Sequence, residues 1–218
     1  LVAVLAYFWR DWWTLITAWL RGLFRWDWRD AGARLMWLII LGTLPAAVLG
    51  FLFEDFFESL FGEPVWVSLF LLITAGVMAL SEWLSKRERS LGDLRWQDAA
   101  IIGIAQAAAI APGISRSGAT ISAGLFRGMQ RPAAARFSFL LSTPVIMGAG
   151  LFKLRDLLGA PNAVSQMPSL LVGFLTAAVC GYLCIWLLLR YLQRGKLYIF
   201  SLYCLLLGLA CLIVDWLR

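Results

Sequence analysis

The chain contains no histidine and has few charged residues, and each of these features limits what it can be. Histidine is the commonest general base and metal ligand near neutral pH, so its absence removes the usual forms of both. Charged residues make up 15% of the 218 residues and hydrophobic residues make up 61%, whereas a soluble domain is nearer half apolar and a quarter charged. This composition excludes a soluble enzyme, a disordered segment and a disulfide-stapled secreted domain, and it indicates an integral membrane protein.

Cysteine is also scarce, and all four cysteines lie in apolar stretches. With no histidine and no nearby carboxylate, we predict no metal site and interpret the cysteines as small packing residues. The net charge of +6 is typical of some nucleic-acid-binding proteins, but here the basic residues form short clusters between apolar runs. That pattern predicts contacts with anionic lipid headgroups and no nucleic acid partner.

Five apolar segments meet or approach the roughly 20 residues that a membrane-crossing helix needs. We therefore predict an all-α, polytopic helical bundle that forms one membrane domain over residues 1–218. The predicted spans cover residues 35–53, 65–84, 137–152, 169–189 and 197–214.

The basic residues predict how these spans are oriented. Most of the 19 Lys and Arg lie in four connecting segments, residues 9–34, 85–98, 127–136 and 190–196. The positive-inside rule places these four segments in the cytoplasm. Segment 9–34 is rich in tryptophan, and we interpret it as an interfacial cytoplasmic helix between two spans. The alternative is a lipid-sensing amphipathic helix.

Segment 99–127 does not fit the pattern of a single span. Its apolar runs are too short to cross the hydrocarbon core, and Pro112-Gly113 and Gly118 interrupt them. A re-entrant hairpin fits both features, because two short helices can enter and leave on one side if their polar turn is buried in protein or lines a wet cavity. An even number of crossings also keeps the later basic loops in the cytoplasm.

The turn of this hairpin has the residues that an anion site needs. Gly113 and Gly118 allow the backbone to approach a ligand closely, and the serines on either side of Arg116 can cap the second helix. A helix N-terminus favours anions, and the guanidinium of Arg116 matches phosphate oxygens. An arginine within the membrane is costly and marks a functional site. The alternative is that it pairs with a carboxylate elsewhere. The candidate residues are Gly113, Ser115, Arg116, Ser117, Gly118 and Thr120.

The segment Ala111-Pro-Gly-Ile-Ser-Arg-Ser-Gly-Ala-Thr120 resembles the signature of the undecaprenyl-diphosphate phosphatase family (the BacA type). The resemblance extends to the segments 103–106 and 134–144 and to the later stretch 173–208. It implies a bacterial inner-membrane, multi-pass enzyme that removes the terminal phosphate of undecaprenyl diphosphate and so recycles the cell-wall lipid carrier. Bacitracin resistance follows from that activity.

The resemblance also implies a fold and a set of site residues. The family fold has two inverted repeats, each with a re-entrant hairpin whose polar turn meets the other at the active site. By position, Arg116 is expected to bind the diphosphate together with Ser115 and Ser117 as catalytic residues. Gly113, Gly118, Thr120 and Gln106 are expected to bind the substrate. No metal ligand is implied within this segment, although stimulation by Mg²⁺ or Ca²⁺ is a feature of the family.

The chain departs from the family pattern in its first half-site. The glutamate-bearing helix and the histidine-containing turn of the first hairpin are absent, and we expect the chain to be N-terminally truncated and inactive without them. The serines have no base nearby in sequence, so no general acid or base is evident. An alternative function is a polyprenyl-phosphate transporter or flippase, because broken helices at the membrane midplane are also a feature of transporters. The sequence does not predict an oligomeric state.

Overall fold

The computed structural model describes residues 1–25, 30–159 and 163–217, with side chains except those of residues 25, 54, 155–159 and 163–166. In these ranges the chain forms helices and connecting turns, with one isolated backbone bridge between Arg89 and Met129. The helices are α1 (Val2–Tyr7), α2 (Trp9–Arg25), α3 (Ala31–Leu52), α4 (Glu54–Phe61), α5 (Pro64–Leu84), α6 (Trp96–Ala108), α7 (Arg116–Phe126), α8 (Arg131–Gly159), α9 (Ala163–Tyr191) and α10 (Tyr198–Trp216).

Five of these helices, α3, α5, α8, α9 and α10, are long and apolar enough to cross a membrane. Each covers one of the five predicted apolar segments to within one residue, so the all-α polytopic fold class is confirmed. The helices extend beyond the predicted segments because a helix can continue through polar residues at a membrane surface. In α8, for example, Pro132 stands in the first turn, where its missing N–H has no partner to lose.

Close helix packing depends on glycine at the contact between α3 and α6. A Cβ atom built on Gly103 would lie 2.4 Å from the carbonyl oxygen of Gly42, which is far inside any permitted contact distance. Small residues at such crossings let helix backbones approach closely. This close packing holds the helices together in a membrane, where lipid tails are as apolar as the side chains. The glycine pair therefore fixes α6 against the middle of α3.

Helices α6 and α7 form a hairpin whose two ends lie together. The amide groups of Glu88 and Arg89 donate to the carbonyl oxygen of Gly128 at 3.0 and 2.9 Å, and the amide of Gln130 donates to the carbonyl of Arg89 at 2.8 Å. The chain therefore enters α6 and leaves α7 at one end of the bundle, as the charge pattern predicts. The depth of this hairpin in a bilayer remains a prediction.

Asp98, in the first turn of α6, clamps the base of the hairpin. Its carboxylate is fully buried and accepts hydrogen bonds from Arg89 at 2.6 Å and from Arg127 at 2.6 Å. Burial raises the pKa of Asp98, but the hydrogen bonds from Arg89, Arg127 and the Arg95 amide outweigh it and lower the pKa to about 2. The clamp thus joins the start of the hairpin to its end.

We expect Asp98→Asn to lower the free energy of unfolding by about 2 kcal/mol at neutral pH, since the pKa is depressed from 3.8 to about 2. A depressed carboxyl pKa stabilises the fold above the unfolded-state pKa, and that contribution is lost as pH falls through the folded-state value. The difference between wild type and variant should therefore shrink between pH 4 and pH 2. Unfolding in detergent micelles at several pH values measures it. Asp55→Asn, which alters an exposed carboxylate, is the control, and an equal loss there contradicts the clamp.

A second buried carboxylate ties three spans together on the same side of the bundle. Glu82 of α5 is 1% exposed and accepts from Nε of Arg131 at 3.0 Å and from the amide of Leu197 at 3.2 Å. Arg87 lies 3.6 Å away. Arg131, which the sequence suggested only as a loop charge, is thus part of the link between α5, α8 and the start of α10.

Helix α2 packs one apolar face against the rest of the protein and leaves other apolar side chains exposed. Leu15 and Ala18 are buried, whereas Trp9, Trp13 and Phe24 are exposed. We propose that α2 lies in the cytoplasmic interface, where tryptophan rings suit the headgroup level. Residues 26–29 of the predicted interfacial segment 9–34 lie outside the described residues.

Candidate functional site

The hairpin turn, residues 109–115, has a backbone shape that depends on glycine. Gly113 has φ +93°, a conformation that L side chains rarely adopt. A Cβ atom on Gly113 would also lie 2.3 Å from the carbonyl oxygen of Val67 in α5. Gly113 thus allows both the reversal of the chain after Pro112 and the close contact of the turn with α5.

Ser115 caps the second hairpin helix. Its backbone is extended at φ −68° and ψ 116°, and its side-chain oxygen accepts from the amide of Gly118 at 3.1 Å. The prediction that one of the two serines caps this helix is confirmed. The cap fixes where α7 begins, and so determines where its first N–H groups, which have no intrahelical acceptor, are presented.

Arg116 is the first residue of α7 and carries the site's positive charge. Its side chain is partly buried, and within the described part of the chain its guanidinium has no hydrogen-bond or ion-pair partner. The alternative that Arg116 pairs with a carboxylate is therefore not supported among the described residues. A half-buried, permanently charged group beside a helix N-terminus is an arrangement that binds anions.

Gly118 and Thr120 face the interior of the bundle. A Cβ atom on Gly118 would lie 3.0 Å from the sulfur of Met78 in α5. Thr120 is fully buried; its hydroxyl donates to the carbonyl of Arg116 at 2.8 Å and lies 2.6 Å from the hydroxyl of Ser138 in α8. The sequence predicted that Thr120 binds substrate, whereas its observed contacts hold the Arg116 backbone and join α7 to α8.

Ser117 and Gln106, the remaining predicted residues, occupy different surroundings. Ser117 is partly exposed beside Arg116. Gln106 is 1% exposed in α6, and neither its amide oxygen nor its amide nitrogen has a partner among the described residues. The Ser122 hydroxyl of α7 is also buried without a described partner. Unsatisfied polar groups inside a protein are few and each needs an explanation, so Gln106 remains a candidate contact for a polar ligand.

One residue that holds the turn was not identified from the sequence. Thr74 is 3% exposed in α5, and its hydroxyl contacts the backbone of Gly113 and Ser115. The available signal was a hydroxyl within an otherwise apolar span, which does not by itself reveal a partner 41 residues away.

Among the described residues, no side chain is placed at the turn to transfer a proton, and no group of side chains is placed to bind a metal ion. In the ranges that the structure describes, no carboxylate is hydrogen-bonded to Ser115 or Ser117. Nor do the described residues include a group of three or more Cys, Asp or Glu side chains placed to hold a metal ion. The described residues of the turn therefore have the character of an anion site.

We expect substitutions of Ser115 to separate helix capping from anion binding. Ser115→Ala should lower the free energy of unfolding by about 1 kcal/mol because the cap to Gly118 is lost. Ser115→Asn and Ser115→Asp both restore a capping oxygen and so the stability, but the negative charge of aspartate should repel a phosphate ligand. Thermal unfolding and pyrophosphate titration test this. Equal binding by the Asn and Asp variants would contradict an anion site at this helix terminus.

Together, the fold and the turn define a polytopic α-helical membrane protein with a helical hairpin whose turn carries a half-buried arginine at a helix N-terminus. The chain belongs to the family described as bacitracin resistance protein BacA, whose model matches residues 1–210.

Three similar proteins share the name undecaprenyl-diphosphatase. The undecaprenyl-diphosphatase of Desulforudis audaxviator is 41% identical over 218 residues, which cover 100% of this chain and 80% of that protein. The undecaprenyl-diphosphatase of Thermomicrobium roseum is 44% identical over 222 residues, with 98% and 80% covered. The undecaprenyl-diphosphatase of Methanothermobacter thermautotrophicus is 49% identical over 178 residues, with 80% of this chain and 97% of that protein covered.

Proposed function

We propose that this protein is a hydrolase that converts undecaprenyl diphosphate to undecaprenyl phosphate and inorganic phosphate. Relatives named for this activity match nearly the whole chain. The observation that supports the proposal most strongly is the half-buried Arg116 guanidinium, which has no partner among the described residues and stands at the capped N-terminus of α7. A diphosphate headgroup would supply the missing negative charge.

In this proposal Arg116 binds the terminal phosphates through two parallel hydrogen bonds. The first free N–H groups of α7 add donors along the same direction, and the Ser117 hydroxyl lies next to them. Negative charge that builds on the phosphoryl oxygens during cleavage is stabilised by these fixed donors, which need no rearrangement at the moment of reaction. Gly113 and Gly118 let the turn and the start of α7 pack closely on α5, and Thr120 supports the Arg116 carbonyl from within the bundle.

Among the described residues of the site, neither serine is suited to attack the phosphate. Ser115 already uses its oxygen as a helix cap, and Ser117 has no base hydrogen-bonded to it among the described residues. The residues of this chain are therefore proposed to bind the substrate and stabilise charge.

We propose that the hairpin is re-entrant and reaches the middle of the bacterial inner membrane. The amide of Ser115 lies 3.3 Å from the hydroxyl of Thr74, the middle residue of α5 (Pro64–Leu84). At 1.5 Å per residue, that position is about 15 Å from either end of the helix, half the thickness of the hydrocarbon core. A polar turn at this depth is placed to receive the headgroup of a polyprenyl lipid.

Phosphate release from undecaprenyl diphosphate tests the proposal directly. The whole gene product, purified in detergent, should release inorganic phosphate, and the same protein in liposomes should not move intact polyprenyl phosphate between leaflets. Lipid movement without phosphate release would favour the transporter and contradict the hydrolase.

A further inference from the structure

The hairpin turn is held by one face of α5. Val67, Thr74 and Met78 recur at helical spacing along that face, and each contacts either the turn or the first turn of α7. The carbonyl of Val67 lies against Gly113, the hydroxyl of Thr74 lies between Gly113 and Ser115, and the sulfur of Met78 lies against Gly118. The α5 surface therefore follows the turn from its glycine to the first turn of α7.

Thr74 makes the polar contacts on this face. Its hydroxyl donates to the carbonyl oxygen of Gly113 at 3.4 Å and accepts from the amide of Ser115 at 3.3 Å. These two groups flank Ile114, and the second belongs to the residue immediately before Arg116. One side chain thus restrains the backbone on both sides of the reversal, and through it the direction in which Arg116 leaves the helix.

The direction of the Thr74 hydroxyl differs from that of several other hydroxyls in these helices. Buried helical serine and threonine hydroxyls commonly bond to a carbonyl of their own preceding turn. Thr43 does so with Ile39 at 2.7 Å, Ser68 with Pro64 at 2.8 Å and Thr143 with Phe139 at 2.9 Å. Thr74 instead bonds across to the hairpin. A hydrogen bond within α5 would have been enough to bury the Thr74 hydroxyl, so its bonds to the hairpin need another explanation.

Helix α10 packs against another face of α5 and fixes its position. Gly208 lets the two helices approach closely, because a Cβ atom there would lie 3.0 Å from the side chain of Leu72 and 3.1 Å from the carbonyl of Ser68. The Ser201 hydroxyl adds a single hydrogen bond to the carbonyl of Ala75 at 2.7 Å, on the face of α5 that α10 covers. Helix α5 is held between α10 and the hairpin, so the Thr74 side chain has a fixed position from which it restrains the turn. This arrangement is what a positioning contact requires.

We propose that Thr74 is a positioning residue for the diphosphate site, acting by holding the Gly113–Ser115 backbone that presents Arg116 and the α7 N-terminus. This inference rests on the proposed function for its kinetic effect. Thr74 does not touch the phosphate in this proposal, and it acts only through the turn.

The test compares Thr74→Val, Thr74→Ser and Ser201→Ala in the whole gene product. Valine keeps the shape of threonine without the hydroxyl, serine keeps the hydroxyl, and Ser201→Ala removes a buried hydroxyl that bonds to the same helix away from the turn. We expect Thr74→Val to lower kcat by about tenfold and kcat/KM by about a hundredfold, because a misdirected Arg116 binds the diphosphate about tenfold more weakly and also stabilises the transition state less well. Thr74→Ser should stay within about twofold of wild type, and Ser201→Ala should lose thermal stability without losing kcat.

A second readout uses inorganic pyrophosphate as the probe and needs no turnover. Calorimetric titration should show about tenfold weaker binding for Thr74→Val and unchanged binding for Thr74→Ser and Ser201→Ala. If Thr74→Val does not fold, Thr74→Ala against Thr74→Ser gives the same comparison. Wild-type kcat and pyrophosphate affinity in a folded variant without the hydroxyl would overturn the inference, as would equal losses in the Ser201→Ala control. Failure of wild type to release phosphate overturns the proposed function instead, and the pyrophosphate titration then still decides the role of Thr74.

Discussion

Arg116→Ala is expected to reduce phosphate release from undecaprenyl diphosphate by about a thousandfold. The guanidinium stands at the N-terminus of α7, and no described residue pairs with it. Loss of a single preorganised donor at developing negative charge costs about 10²–10³ in rate, and an arginine that stabilises a phosphoryl transition state contributes about 10³ or more. Steady-state assays of the whole gene product give the value.

Lysine at position 116 should rescue little of this activity, because an ammonium group keeps the charge but cannot form the two parallel hydrogen bonds of guanidinium. Arg194→Ala is the matched control, since Arg194 is exposed and is not part of the hairpin. That variant should keep wild-type turnover. An Arg116→Lys variant with nearly full activity would show that charge alone suffices and would contradict bidentate binding.

Gly113→Ala is expected to have the second largest effect, lowering the free energy of unfolding by at least about 2 kcal/mol and abolishing phosphate release. The alanine would have to adopt φ +93°, which costs of order 1–3 kcal/mol. It would also bring Cβ within 2.3 Å of the Val67 carbonyl. Because that neighbour is helix backbone, the turn rather than α5 must shift, and Arg116 moves with it. Thermal unfolding in detergent and phosphate release measure the two effects.

Gly148→Ala provides the comparison for this result. Gly148 is inside α8, and a Cβ atom there would meet no other heavy atom within 4 Å. Alanine is the better helix former by up to about 1 kcal/mol, so this variant should be as stable as wild type or slightly more stable. If Gly113→Ala behaved like Gly148→Ala, the turn could not have the conformation described above.

The membrane-spanning helices were predictable because length and hydropathy determine them locally. A run such as residues 65–84 needs no partner to be recognised, and α5 contains it. The hairpin was predictable for a related reason, since its apolar runs are short and broken by Pro112 and Gly113. The boundaries were less predictable, because α8 continues from its apolar segment through Arg136 to begin at Arg131.

The contacts that organise the site could not be predicted from one sequence. Asp98, Arg89 and Arg127 come together only when α6 folds against α7, and in sequence the two arginines look like ordinary loop charges. The hydroxyl of Thr74 looks like a tolerated polar atom in a span until the hairpin packs on it. Thr120 shows the same limit. Its spacing places it one turn from Arg116, but the spacing does not indicate which side of α7 faces Ser138.

The most direct measurement is an experimental structure of the whole gene product in a lipid nanodisc with a bound polyprenyl diphosphate. We expect the Arg116 guanidinium to lie below the headgroup plane, about 3 Å from phosphate oxygens, at the end of a helix that turns back at Gly113. An Arg116 side chain that faces bulk water, or residues 96–126 that cross the bilayer as one straight helix, would contradict the proposed site.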